Sequence, residues 1–122
     1  ARLAPDGVLA VNVGGFGADD PVVAAVGATL AAAFDERVLG ARVPSSRNWV
    51  LYAFAGAVVD PREHASEAAG ALAELVAPLG LPGALVRFGA DAGACLTDDR
   101  APLAELERAS LRAGRARLAG DA

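Results

Sequence analysis

The stretch Val8-Leu9-Ala10-Val11-Asn12-Val13 is the strongest constraint on what this chain can become. Six residues with one polar member, after the turn-forming Pro5-Asp6-Gly7, read as a β-strand. A strand that apolar on both alternating faces needs cover on both sides, which predicts an inner strand of a parallel sheet packed between helices. Few other segments here offer it a neighbour on each side. There is no Met, and Leu3 to Gly7 reads as the end of a helix followed by a tight turn. The expectation is therefore a partial α/β domain spanning 1–122. Its first strand would pair with a missing N-terminal half or with a second copy of the chain.

Punctuation divides the rest. Gly14-Gly15-Phe16-Gly17-Ala18-Asp19-Asp20 is a loop, and Asp19 or Asp20 can cap a helix that Pro21 begins. The helix is predicted over 21–34, with Val22, Val23, Val26, Leu30 and Phe34 facing the sheet and many alanines keeping it slim. A second strand is expected over 38–43 and a third over 49–58. The turn Pro44 to Asn48 is too short for a parallel crossover, so these two strands should be antiparallel. A helix over 61–76 follows, ended by Pro78, Gly80, Pro82 and Gly83. Residues 84–88 form a short strand or extended segment. A final helix runs over 102–118 with Leu103, Leu106 and Leu111 on its apolar side, and Gly114 weakens its second half.

Composition excludes several classes. The 54% apolar content argues against a disordered tail, yet Gly, Pro, Asp and Arg interrupt every apolar run before the ~18 residues of a membrane span. No secretory signal opens the chain. All 11 basic residues are Arg and the net charge is −4, too acidic for a nucleic-acid surface. Arg108, Arg112, Arg115 and Arg117 read as a solvated helix face. A lone Cys95 permits no internal disulfide and no Cys-based metal site, and a cytoplasmic location fits it.

Three segments carry a family resemblance. Leu3-Ala4-Pro5-Asp6-Gly7-Val8-Leu9-Ala10-Val11-Asn12 resembles the fifth strand of the Rossmann-like methyltransferase fold. Ser46-Arg47-Asn48-Trp49-Val50-Leu51-Tyr52-Ala53 resembles the last strand of spermidine synthase-like proteins. Leu96-Thr97-Asp98-Asp99-Arg100-Ala101-Pro102-Leu103-Ala104-Glu105 resembles a C-terminal motif among divergent members of that group. The resemblance covers about residues 1–59 and 94–108. It implies the C-terminal half of a Rossmann-like methyltransferase sheet: three main strands, an antiparallel terminal pair and flanking helices.

For function, the resemblance implies part of a polyamine aminopropyltransferase-like or methyltransferase-like protein, assembled as a dimer. An amine would displace a group from a sulfonium-activated carbon of decarboxylated S-adenosylmethionine or S-adenosylmethionine. The family's Gly-rich cofactor loop, ribose-holding acid and proposed catalytic Asp would all precede Ala1, so this chain alone should bind no cofactor, carry no catalytic residue and be inactive. The chain departs from the family's polyamine synthases in lacking a Gln-Gly-Glu type segment near Gly14 to Asp19 and a His-containing C-terminal motif. The alternative is a non-catalytic binding or assembly module that retains the fold.

The pocket-wall candidates are Asn12, Gly14, Gly15, Asp19, Asp98 and Asp99. Loops at the carboxyl ends of strands line the ligand crevice of open α/β sheets, and acidic side chains there would suit a polyamine or other cationic amine. Each has a plainer reading. Gly14-Gly15-x-Gly17 does not complete Gly-x-Gly-x-x-Gly, because position 20 is Asp, and two acids would repel a phosphate. Asp98 and Asp99 fit helix capping. Asn12 must find hydrogen bonds if buried. His64 reads as a surface residue, Ser45 and Ser46 as turn residues, Cys95 as a packing residue, and Trp49 and Tyr52 as sheet residues at the fold's edge.

Overall fold

The computed structural model describes residues 3–99 and 101–120. Strand β1 (Val8–Gly14) leads through the loop to helix α1 (Pro21–Ala33), then to strands β2 (Val38–Arg42) and β3 (Asn48–Phe54). A 3-10 turn (Pro61–Glu67), helix α2 (Ala71–Val76) and a second 3-10 turn (Ala77–Gly80) precede strand β4 (Leu85–Arg87) and helix α3 (Leu103–Gly120). The mixed α/β class is as expected, and so is the antiparallel pair β2–β3, whose register runs from Val38 opposite Ala53 to Arg42 opposite Trp49.

The sheet differs from expectation in count and order. It has four strands in the order β1-β3-β2-β4, and every neighbouring pair is antiparallel. The expected parallel neighbours of β1 are replaced by β3, which returns between β1 and β2 and pairs Val8 with Phe54 through Gly14 with Asn48. β1 is consequently an edge strand among the described residues, and Val8, Leu9 and Ala10 are exposed. The inner strand is β3, so Trp49, 3% exposed, sits in the core and not at the fold's edge. β3 also ends at Phe54, short of the expected residue 58. Its ladder partners run out there, and the Arg37 side chain donates to the carbonyls of Phe54 (3.0 Å) and Ala55 (2.9 Å) as the chain turns away.

Alternation assigns the two faces. Val11, Val13, Trp49, Leu51, Ala53 and Val38 pack with Val23 and Ala31 of α1. Asp20 caps α1 and Pro21 occupies its first turn. Val23 is fully buried and Val22, Val26, Leu30 and Phe34 pack against the core as the spacing predicts. The alanine side is not merely slim: Ala24, Ala25 and Ala28 are also buried, because α3 and the segment after β4 lie on it. Phe88 closes this layer. Its ring occupies the space where a Cβ at Gly27 or Gly40 would stand, so helix and sheet approach through two glycines.

The other face carries the largest departure. The expected helix over 61–76 is interrupted at Ala68–Gly70, where Gly70 adopts φ +58°. None of the three short pieces over 61–80 buries a residue, and Leu72 and Leu75 are 56% and 73% exposed. Without a continuous apolar face to bury, a helix this short gains little from packing.

α3 forms close to its expected bounds but docks differently. Its buried residues are Ser110 and Gly114, whereas Leu103 and Leu111 are about half exposed. Gly114 is thus the point of contact and not a weak link. The four clustered arginines are exposed, as a solvated face requires. No helix among the described residues is long and apolar enough to cross a membrane.

Candidate functional site

The loop after β1 is the point to which the sheet, α1 and α3 converge. Asp20 organises it. Its backbone N–H donates to Gly17 O (3.1 Å), and its carboxylate, 2% exposed, accepts from three donors. Oδ1 takes the Val22 N–H at 2.9 Å, the standard way to satisfy a free amide in the first turn of a helix. Oδ2 takes the Phe16 N–H at 3.1 Å and the Ser110 hydroxyl at 2.6 Å. A buried carboxylate survives only with such partners.

Four further contacts fix the loop. Gly15 is buried and its N–H donates to Arg47 O at 2.6 Å, tying the loop to the turn before β3. The Arg47 guanidinium lies 3.8 Å from the centroid of the Phe16 ring. That ring also meets α3 at Gly114, where any Cβ would overlap Phe16 ring atoms. Beside it, Arg117 donates to Asp19 Oδ1 at 2.6 Å. That hydrogen bond holds the Asp19 carboxyl below its ordinary value of 3.8, against a small opposing cost of burial.

The candidates therefore separate. Gly14, Gly15 and Asp19 lie on one loop, with Asn12 on the strand leading into it. Asn12 is exposed, opposite Val50, because the edge strand leaves it in solvent, so the hydrogen-bond demand of a buried amide does not arise. Gly14 is exposed, and the Asp19 side chain is 76% exposed despite its ion pair. Asp98 and Asp99 are exposed and make no hydrogen bond to this loop among the described residues. The segment before them follows α1 away from it: Gly93 lies against Ala24 and Ala25, and Leu96 N–H donates to Thr29 Oγ1 at 2.8 Å.

The plainer readings fare well elsewhere. His64 is exposed and lies 3.4 Å from Glu67. Ser46 closes the turn, accepting from Asn48 N–H and donating to Val43 O. Cys95 is exposed, with Sγ 3.7 Å from Ala28 O, so any packing it does is at the surface of α1. No group of His, Cys, Asp and Glu among the described residues could hold a metal ion.

Sequence reasoning missed Phe16, Arg47, Ser110, Gly114 and the Arg117 contact. One signal was available: Ser110 and Gly114, four residues apart, form a small-residue notch on one face of α3. Chemically the loop offers carbonyls, an edge amide and one solvent-facing carboxylate. The hydroxyl beside it, Ser110 of α3, is buried and its proton is committed to the Asp20 carboxylate. The chain matches no protein-family model, no curated protein and no solved structure.

Proposed function

We propose that this chain forms the end of the sheet and one wall of the substrate crevice in a spermidine synthase-like transferase of Rossmann-like architecture. Group transfer from an S-adenosylmethionine-type donor to an amine would then depend on residues outside 1–122. The observation that carries the reading is the loop Gly14–Asp20. It stands at the carboxyl end of β1, held by Asp20, Gly15 and Phe16, while the outer edge of β1 stays open. The antiparallel β2–β3 pair also supports it, since the resemblance implies an antiparallel end to the sheet.

The residues present do not fit the carboxylate of S-adenosylmethionine: the first turn of α1 is already occupied by the Asp20 carboxylate, and Asp19 adds a second negative charge, so the helix N-terminus offers no seat for an anionic group. No step through a donor is assigned to this chain. Its own contribution is to present Asn12, the Gly14 backbone and the exposed face of Asp19 to a cationic amine.

Titration of the full chain with spermidine, followed by amide NMR shifts, tests this. Saturable shifts at Asn12, Gly14, Gly15 and Asp19 are expected; a spectrum unchanged at these four refutes the pocket wall. One observation favours the non-catalytic alternative, a binding or assembly module: Arg117 already neutralises Asp19. If Arg117→Gln does not strengthen spermidine binding, the acidic wall is not the recognition element and the assembly reading replaces the first.

A further inference from the structure

Strand β1 ends the sheet, and no other strand lies beside its outer edge among the described residues. Native sheets blunt a long open edge with Lys, Pro or a bulge. Val8–Gly14 contains no Lys, no Pro and no charge, and its pairing with β3 runs from end to end without a bulge. Val8 and Leu9 are 46% and 38% exposed, one on each face of the sheet. The ladder fixes what the edge offers. Ala55 N–H donates to Gly7 O and Gly15 N–H to Arg47 O, so the odd residues bond to β3. The even residues Val8, Ala10, Asn12 and Gly14 present N–H and C=O outward. Donors and acceptors at a two-residue spacing match one kind of occupant, an extended strand.

We propose that the occupant is a second copy of β1, paired antiparallel about a two-fold axis at Val11. The outward residues are placed symmetrically about that position. Val8 pairs with the partner's Gly14 and Ala10 with the partner's Asn12, and each such pair exchanges two hydrogen bonds. Shifting the register by one pair in either direction leaves Val8 or Gly14 without a partner inside the strand. The side chains agree with the backbone. On the face away from α1, each pair sets a larger residue against a smaller one: Val8 against the partner's Gly14, and Asn12 against the partner's Ala10. On the α1 face Leu9 meets the partner's Val13, and Val11 meets the partner's Val11, so every contact there is apolar. No like charges oppose each other at the axis, because β1 has none. A foreign strand would satisfy the backbone alone; this symmetry about Val11 is what selects a copy. Isologous pairing joins the two four-stranded sheets into one continuous antiparallel sheet. It uses the β1 backbone, whereas amine recognition rests on the Asp19 side chain, so the two readings can fail separately.

Sedimentation of the full chain should show a reversible dimer at twice 12.2 kDa, rising with concentration because a seven-residue edge makes a small interface. Cysteine cross-linking reads the register, in a Cys95→Ser background. Val11→Cys should form an intermolecular disulfide on oxidation with diamide: opposed residues of a non-hydrogen-bonded pair lie about 4.5 Å apart at Cα, within disulfide range. Leu9→Cys should not, because it stands about 14 Å along the strand from its own copy. Ala10→Pro removes one outward N–H and spares the β3 ladder, so it should weaken the dimer at least about tenfold. The cysteine pair remains decisive if Ala10→Pro does not fold. Spermidine shifts at Asp19, read in the monomeric variant, report the amine reading by itself. A monomer at every concentration overturns the proposal, and that is the result expected if the edge belongs to a strand outside 1–122. So does a dimer unaffected by Ala10→Pro, or a Leu9→Cys cross-link as fast as that of Val11→Cys.

Discussion

Removing the Asp20 carboxylate should detach α3 from the rest of the molecule. Asp20→Ala deletes the cap on Val22, the bond from Phe16 N–H and the bond from Ser110 Oγ. Loss of an Asp cap costs about 1 kcal/mol. The Ser110 bond is short and buried at both ends, with Ser110 6% exposed, so its loss costs about 1–3 kcal/mol. The sum, discounted for relaxation and water entry, is about 3 kcal/mol, against a total stability of roughly 5–15 kcal/mol for a domain of this size. Ser110→Ala keeps two of the three donors and should cost about 1.5 kcal/mol. Asp20→Asn falls between them, since an amide nitrogen at the Oδ2 position cannot accept from Phe16 N–H. Urea unfolding followed by fluorescence of the buried Trp49 measures all three, and the Asp20–Ser110 double-mutant cycle isolates the shared bond. An Asp20→Ala variant within about 0.5 kcal/mol of wild type, or a coupling energy of about zero, would refute the assignment of Asp20 as the organising residue.

Other consequences follow from the same contacts. Gly114→Leu drives a side chain into the Phe16 ring and should cost about 1–3 kcal/mol, with α3 becoming cleavable by limited proteolysis before the sheet; an uncleaved helix at wild-type stability would contradict the packing. The Asp19 carboxyl has a lowered folded value, so its stabilisation is present above 3.8 and is lost as pH falls below that through the folded value. The stability gap between wild type and Arg117→Gln should therefore shrink between pH 5 and the acid limit, from a starting size of at most about 1 kcal/mol because both side chains are substantially exposed. The chain alone should transfer neither aminopropyl nor methyl groups to a polyamine; turnover above a buffer blank with either donor defeats the assignment of catalysis to residues outside 1–122. Finally, Gly7 O and Gly15 N–H both point to β3, so the even residues Val8, Ala10, Asn12 and Gly14 turn their amides outward. Those amides should be protected from hydrogen exchange in an assembly that pairs with β1, and a sedimenting monomer with fast exchange at all four rules that pairing out.

The elements legible in the sequence were those whose local signals agree. Asp20-Pro21 followed by valines at helical spacing marks both the start and the inward face of α1, and both are found. The Pro44–Asn48 turn compels β2 and β3 to pair antiparallel. Strand order is not written in that way. Whether β3 falls outside β2 or returns between β2 and β1 depends on which edge gains more from pairing, and no local residue records the choice. The region after β3 misled for a different reason. Residues 61–76 are rich in helix formers, but Ala68-Ala69-Gly70 supplies no large side chain to bury, so tertiary packing had little with which to hold the turns together.

The loop after β1 shows why the candidate site was only partly readable. Two adjacent acids look equivalent in sequence, yet their side chains leave the backbone in different directions and meet opposite fates. Asp20 turns inward, where three donors make its charge a structural fixture. Asp19 turns outward to one arginine and keeps most of its surface in water. Phe16 N–H and Val22 N–H hold Asp20 locally, and the remaining donors, Ser110 to Asp20 and Arg117 to Asp19, come from α3 about ninety residues further on, so the docking of α3 completes the distinction that the loop begins. An amine approaching this loop would meet Asp19 and never Asp20. The same docking gives Asp19 the Arg117 guanidinium as a competitor for any cation, so in the proposed reading the strength of amine recognition is set by how firmly the last turns of α3 hold their place.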